Sequence, residues 1–200
     1  MNRVRLILLV VAFAASGGLL GTLLYLRFQP PDAYSAADAR FRLVDQEGRA
    51  FTQKDLRGRP TAMFFGFTFC PEVCPTTLTE LSVALEALGD DADRLNVVFV
   101  SVDPERDTPA QLKTYLSNFD RRIRGVSGAA DQVEAIAMAY RALYLKVPTE
   151  YGYTMDHTAD ILLLDRKGEI VERLRYGLGP EEVEAGLRDL LDPPTNGVKP

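Results

Sequence analysis

The sequence predicts an α/β domain with a central mixed sheet flanked by helices, and three observations predict it. Two continuous apolar runs of strand length, Thr61 to Phe67 and Leu95 to Val102, read as strands covered on both faces. Each is followed by a stretch in which apolar residues recur at helical spacing. Near the C-terminus a hairpin pattern, Ile161 to Tyr176, precedes a last amphipathic helix.

The elements follow in chain order. Leu6 to Leu26 carries no charge and is bounded by Arg5 and Arg27. As a helix it would rise about 30 Å, enough to cross a bilayer. Arg3 and Arg5 before it favour a cytoplasmic N-terminus and export of the rest of the chain. A cleaved signal peptide is the alternative, but only Leu6 to Val11 would form its apolar core ahead of Ala12-Phe13-Ala14, which is short. Residues 1–27 are therefore expected to be an anchor and 28–39, with Pro30 and Pro31, a linker. The domain is expected over 40–192, and 193–200 as a loose tail. Within it, Arg40 to Val44 and Arg49 to Thr52 flank a turn and predict an edge hairpin. After the strand Thr61–Phe67, Pro75 opens a helix with Leu78, Leu81, Leu85 and Leu88 on one face, stopped by Gly89. After Leu95–Val102, Thr108 caps a helix with Pro109 at its first position and Gln111 completing a capping box. Leu112, Tyr115, Leu116 and Phe119 line its inner face. A further helix is expected from Ala130 to Leu143, with Val133, Ile136, Ala137 and Tyr140 inward. Pro180 opens the last helix, with Val183, Leu187 and Leu190 facing in. Strand, helix, strand, helix, inserted helix, hairpin, helix is a βαβ unit followed by ββα, the thioredoxin-like arrangement.

Composition narrows the chemistry. Hydrophobic residues at 46% and charged residues at 26% exclude wholesale disorder. A net charge of −5 without a Lys/Arg cluster excludes a nucleic-acid partner. Two cysteines cannot make a disulfide scaffold, and there is one histidine. Any catalysis or metal binding must use a short list of residues.

Three patches carry that list. Cys70-Pro71-Glu72-Val73-Cys74 leaves a buried strand and enters a helix start, where unpaired N–H groups favour thiolate over thiol. The pair can close a disulfide or hold a soft metal. His157, in Tyr153-Thr154-Met155-Asp156-His157-Thr158, precedes the late hairpin, a segment that in this fold passes beside the cysteine turn. Two thiolates and an imidazole suit Cu(I), and also zinc. Structural zinc normally takes four protein ligands, so three-coordinate Cu(I) fits better. Met155 offers a soft fourth contact but reads better as a core side chain, and Asp156 could orient the imidazole. Asp103, in Asp103-Pro104-Glu105-Arg106-Asp107-Thr108-Pro109, lies at the same end of the sheet and could accept a hydrogen bond from the site; turn chemistry is the alternative. A peroxiredoxin would need Pro at position 63 and Thr at 67, where this chain has Met63 and Phe67.

Gly66-Phe67-Thr68-Phe69-Cys70-Pro71-Glu72-Val73-Cys74-Pro75, then Asp103 to Pro109, then Asp156-His157-Thr158 resembles the Sco/SenC family over Phe41 to Leu191. The resemblance implies a thioredoxin-like fold that binds one copper ion, Cu(I) or Cu(II), through Cys70, Cys74 and His157. It implies a role in maturing the binuclear copper centre of cytochrome c oxidase subunit II, or of another copper protein, with a copper donor and a thiol reductant as further partners. Family members act as copper chaperones, as thiol reductants of that subunit's cysteines, or as both. In the second role Cys70 would attack and Cys74 resolve. The domain is then expected on the periplasmic or outer side of the cytoplasmic membrane. Phe67 and Thr158 stand where many members have Tyr and Ser.

Overall fold

The computed structural model describes residues 35–193; the expected anchor and all but the first residue of the expected tail lie outside that range. Nine strands are described: β1 Arg42–Asp45, β2 Ala50–Thr52, β3 Thr61–Gly66, β4 Asn96–Ser101, β5 Ile123–Ser127, β6 Tyr144–Thr149, β7 Gly152–His157, β8 Ile161–Leu164 and β9 Ile170–Leu174. Four α-helices accompany them: α1 Val73–Leu88, α2 Pro109–Leu116, α3 Ala130–Ala139 and α4 Pro180–Leu191.

Seven strands form one sheet in the order β2-β1-β5-β4-β3-β8-β9. β3, β4 and β5 are parallel; β1, β8 and β9 make the antiparallel flanks. The steps β3–α1–β4 and β4–α2–β5 run in the same direction, so right-handed crossovers put α1 and α2 on one face. The glycine of α4, Gly186, approaches Leu174 and Leu163 on the sheet. Arg173, next to Leu174 and so pointing to the opposite face, donates to the Tyr140 carbonyl at the end of α3. Helices thus cover both faces, as the thioredoxin-like pattern requires. All six residues of β3 are buried, which is why that strand reads as an unbroken apolar run.

The differences from expectation have local causes. Helix α1 starts at Val73, two residues early. Pro75 then occupies the third helical position, where its missing N–H would have had no intrahelical acceptor. Helix α3 stops at Ala139 because the chain turns away at Arg141, whose φ is +53°. Strand β5 is not expected from the sequence, since Arg124 breaks its apolar pattern and Arg122 stands just before it. Arg124 is accommodated by ion pairs to Asp45, which is fully buried, and to Asp55. Ala36 and Ala39, expected in the linker, pack into the core, so the packed domain begins before Arg40. The β6–β7 hairpin is also not expected; it is a separate two-stranded sheet.

Candidate metal centre

In-register pairing fixes the frame. β3 and β4 pair from Thr61↔Asn96 to Gly66↔Ser101, so both end level. The loops that leave them lie side by side, joined by the Val102 N–H to the Gly66 carbonyl at 2.8 Å. The cysteine loop runs on from Phe67 and enters α1, where Cys74 is the second helical residue. A side chain at Gly66 would stand 2.6 Å from Cys74 Sγ and 2.7 Å from the Phe99 ring, so only glycine leaves room for the sulfur there. Cys70 is half-buried and Cys74 has no exposed surface.

His157 is the last residue of β7. Its Nε2 is 3.4 Å from Cys74 Sγ, and the two sulfurs and a ring nitrogen all lie within 4.8 Å of one another. Nδ1 meets the Thr158 carbonyl oxygen at 3.0 Å. A carbonyl can only accept, so Nδ1 carries a proton; in the neutral ring the Nε2 lone pair faces the sulfurs, and in the charged ring Nε2–H donates to the Cys70 thiolate. The edges of the Phe67 and Phe64 rings enclose the imidazole, at 5.8 and 6.1 Å between centroids.

The thiols are electrostatically unequal. Cys70 accepts hydrogen bonds from the Cys74 thiol, from His157 and from the backbone N–H groups of Cys74 and Glu72. Together these outweigh its burial and pull it down to about 4. The Cys74 N–H lies 3.4 Å from Cys70 Sγ. Cys74, as donor to Cys70 and as a buried group, is pushed far above the ordinary thiol range. The pair therefore holds one proton, on Cys74. Burial works to lower His157, but its hydrogen bonds to Cys70 and to the Thr158 carbonyl prevail and raise it.

The remaining sequence candidates separate. Met155 is buried in the core. Asp156 is exposed on the opposite face of β7; it acts on the imidazole through its charge alone, and the orienting hydrogen bond comes from Thr158. Asp103 is buried and accepts from Arg106 Nε at 2.5 Å and from Tyr153 Oη at 2.8 Å, so it serves the hairpin. Sequence reasoning missed Asp107. Its carboxylate accepts from the Thr68 N–H (3.0 Å), Thr68 Oγ1 (2.7 Å) and Ser101 Oγ (2.6 Å), tying the cysteine loop to the end of β4. Burial raises its pKa despite these donors. The available signal was a second aspartate in a loop facing the cysteine turn, but its partners are remote in sequence.

The SCO1/SenC family profile matches residues 30–192. A SCO2-like protein of Rickettsia felis is 31% identical over 151 residues, covering 74% of each chain. A putative copper-binding protein of Stutzerimonas stutzeri is 34% identical over 155 residues, covering 76% of each. Among solved structures, Bradyrhizobium japonicum ScoI with copper bound is 50% identical, with a TM-score of 0.71, over 76% of this chain and 97% of that one. Two cysteines and a histidine converge at the carboxyl ends of the parallel strands, and the match spans the whole described domain: the chain belongs to the SCO1/SenC family.

Proposed function

We propose that this chain is a membrane-tethered copper chaperone. Cys70, Cys74 and His157 hold one copper ion and pass it to an apo copper protein, foremost the binuclear site of cytochrome c oxidase subunit II. The observation that carries the reading is the convergence of two sulfurs and a ring nitrogen within 4.8 Å, with no carboxylate in the group. Two thiolates and one imidazole match the softness of Cu(I) better than they match zinc, and the same set admits Cu(II). The copper-bound state of ScoI from Bradyrhizobium japonicum, at 50% identity, supports the choice of ion. Cys70 is already a thiolate, and Cys74 gives up its proton when it becomes a ligand. Thr158 holds the imidazole in the tautomer that presents Nε2. Leu6 to Leu26 is the tether, and the domain works on the outer face, where a copper donor and a thiol reductant serve it.

Anaerobic Cu(I) titration of the reduced chain against a chromophoric chelator tests this. Wild type takes one equivalent. His157→Ala binds roughly tenfold or more weakly, and Cys70→Ser or Cys74→Ser loses most of the affinity. Full affinity in His157→Ala overturns the histidine's role.

A second reading is favoured by the low Cys70 pKa beside a protonated partner. The Cys70 thiolate attacks a target disulfide, forming a mixed disulfide as one target thiolate leaves; Cys74 then loses its proton and attacks Cys70, breaking the mixed disulfide, closing the Cys70–Cys74 bond and expelling the second target thiolate. Two electrons pass to the target, and the thiol reductant restores the pair. This turnover survives His157→Ala and is abolished by either Cys→Ser change, as a disulfide-reduction assay would read.

A further inference from the structure

Among the described residues, strand β7 has β6 as its only strand partner and lies outside the seven-stranded sheet. Sheet pairing therefore does not set the distance between His157 and the sulfurs. At its root the hairpin is tied through Thr158, whose N–H donates to the Leu143 carbonyl and whose Oγ1 accepts from the Leu143 N–H, both at 2.9 Å. Tyr153, Met155 and His157 alternate onto one face of β7. Tyr153 meets a guanidinium there. Arg106 lies over the Tyr153 ring at 3.8 Å and donates Nη1 to the Tyr153 carbonyl at 3.1 Å. The same guanidinium lies over Phe69 at 4.7 Å and Phe67 at 5.8 Å, both in the cysteine loop. Asp103 holds Arg106 Nε and Tyr153 Oη at once. Lys146 of β6 covers the Tyr153 ring at 3.9 Å and pairs with Glu105. One planar cation thus touches the strand that carries His157, the loop that carries Cys70 and the loop after β4.

We propose that Arg106 is a positioning residue, a clasp that with Asp103 and Tyr153 holds the strand of His157 at bonding distance from the cysteine pair. The proposal rests on the reading of His157 as a copper ligand. A flat guanidinium stacks between rings while its edge hydrogen-bonds; an ammonium does not. Lysine at this position keeps the ion pair to Asp103 and loses the stack.

Copper competition on the full chain tests the clasp, with Arg106→Ala, Arg106→Lys, His157→Ala and the double variant Arg106→Ala/His157→Ala. Arg106→Ala binds one equivalent about tenfold more weakly, with a weakened nitrogen signature in the electron paramagnetic resonance of the Cu(II) form. Arg106→Lys falls between it and wild type. In the His157→Ala background Arg106→Ala costs nothing further, because the clasp acts through that ring. Wild-type affinity in Arg106→Ala, or losses that add in the double variant, overturns the clasp. Amide hydrogen exchange of Gly152–His157 in the copper-free chain separates this from the copper reading. If His157→Ala binds copper as tightly as wild type, the ligand role fails and exchange alone decides. Faster exchange in Arg106→Ala supports the clasp, and unchanged exchange overturns it.

Discussion

At the scale of single residues, the site is two similar thiols made different by their surroundings. Cys70 collects four hydrogen bonds and is held near 4; Cys74 donates two of them, through its thiol and its backbone N–H, and is buried. Alkylation of Cys70 by iodoacetamide in the reduced, copper-free chain is expected to hold its rate from neutral pH downwards and to halve near pH 4. Peptide mass spectrometry of timed quenches checks this, and a fall that begins near the ordinary thiol range contradicts it. His157 shifts the other way: burial opposes its charge, yet Cys70 and the Thr158 carbonyl raise it above 6.5. A raised histidine lends stability that is fully present below its unfolded value and is lost as pH rises through the folded one. The stability gap between copper-free wild type and His157→Ala therefore narrows as pH rises, read by urea unfolding at roughly pH 6 and pH 8. The three donors were legible because the chain has so few candidates: two cysteines and one histidine. Asp107 was not legible. A buried carboxylate looks like any loop aspartate until Thr68 and Ser101 are brought to it by the paired ends of β3 and β4.

At the scale of elements, β1 and β5 are joined by an unusual seam. Asp45 ends β1 with no exposed surface and receives both Arg124 of β5 and Arg49 beyond the turn. Its pKa is lowered: burial opposes ionisation, but the Arg49 backbone and side chain, the Glu47 N–H and the Arg124 charge outweigh it. Arg49 reaches solvent and Arg124 keeps Asp55, so Asp45→Ala chiefly leaves the turn N–H groups of Glu47 and Arg49 without their acceptor and is expected to cost about 1–3 kcal/mol. Chemical denaturation measures it, and a loss below roughly 1 kcal/mol would mean that solvent takes over the role of the carboxylate. This seam also explains why β5 escaped the sequence. A strand with an arginine at its second position, and another just before it, reads as a loop when the acid that accommodates Arg124 is not yet in view. The β6–β7 hairpin escaped for another reason. Lys146, Pro148 and an exposed face give Tyr144–Thr149 none of the periodicity that marks a core strand. The long helices and the runs of β3 and β4 were legible because burial on both sides leaves an unbroken apolar record.

At the scale of the whole molecule, everything chemical sits at one end of the sheet, beyond the carboxyl ends of β3 and β4. The alternation of strands and helices was enough to foresee that placement, since crossover rules leave few topologies. A ligand that binds only the assembled site, where residues far apart in sequence converge, stabilises the folded state by mass action. With free Cu(I) buffered at a thousand times its Kd, the reduced chain gains about 4 kcal/mol. A rise in Tm is expected for wild type and not for Cys74→Ser, and an equal rise in both would place the ion elsewhere. Cys74 shows no surface while Cys70 and His157 each show some, so a visitor from solvent has two outer donors to meet and one inner sulfur to find. The doorway imposes a queue in which Cys74 comes last.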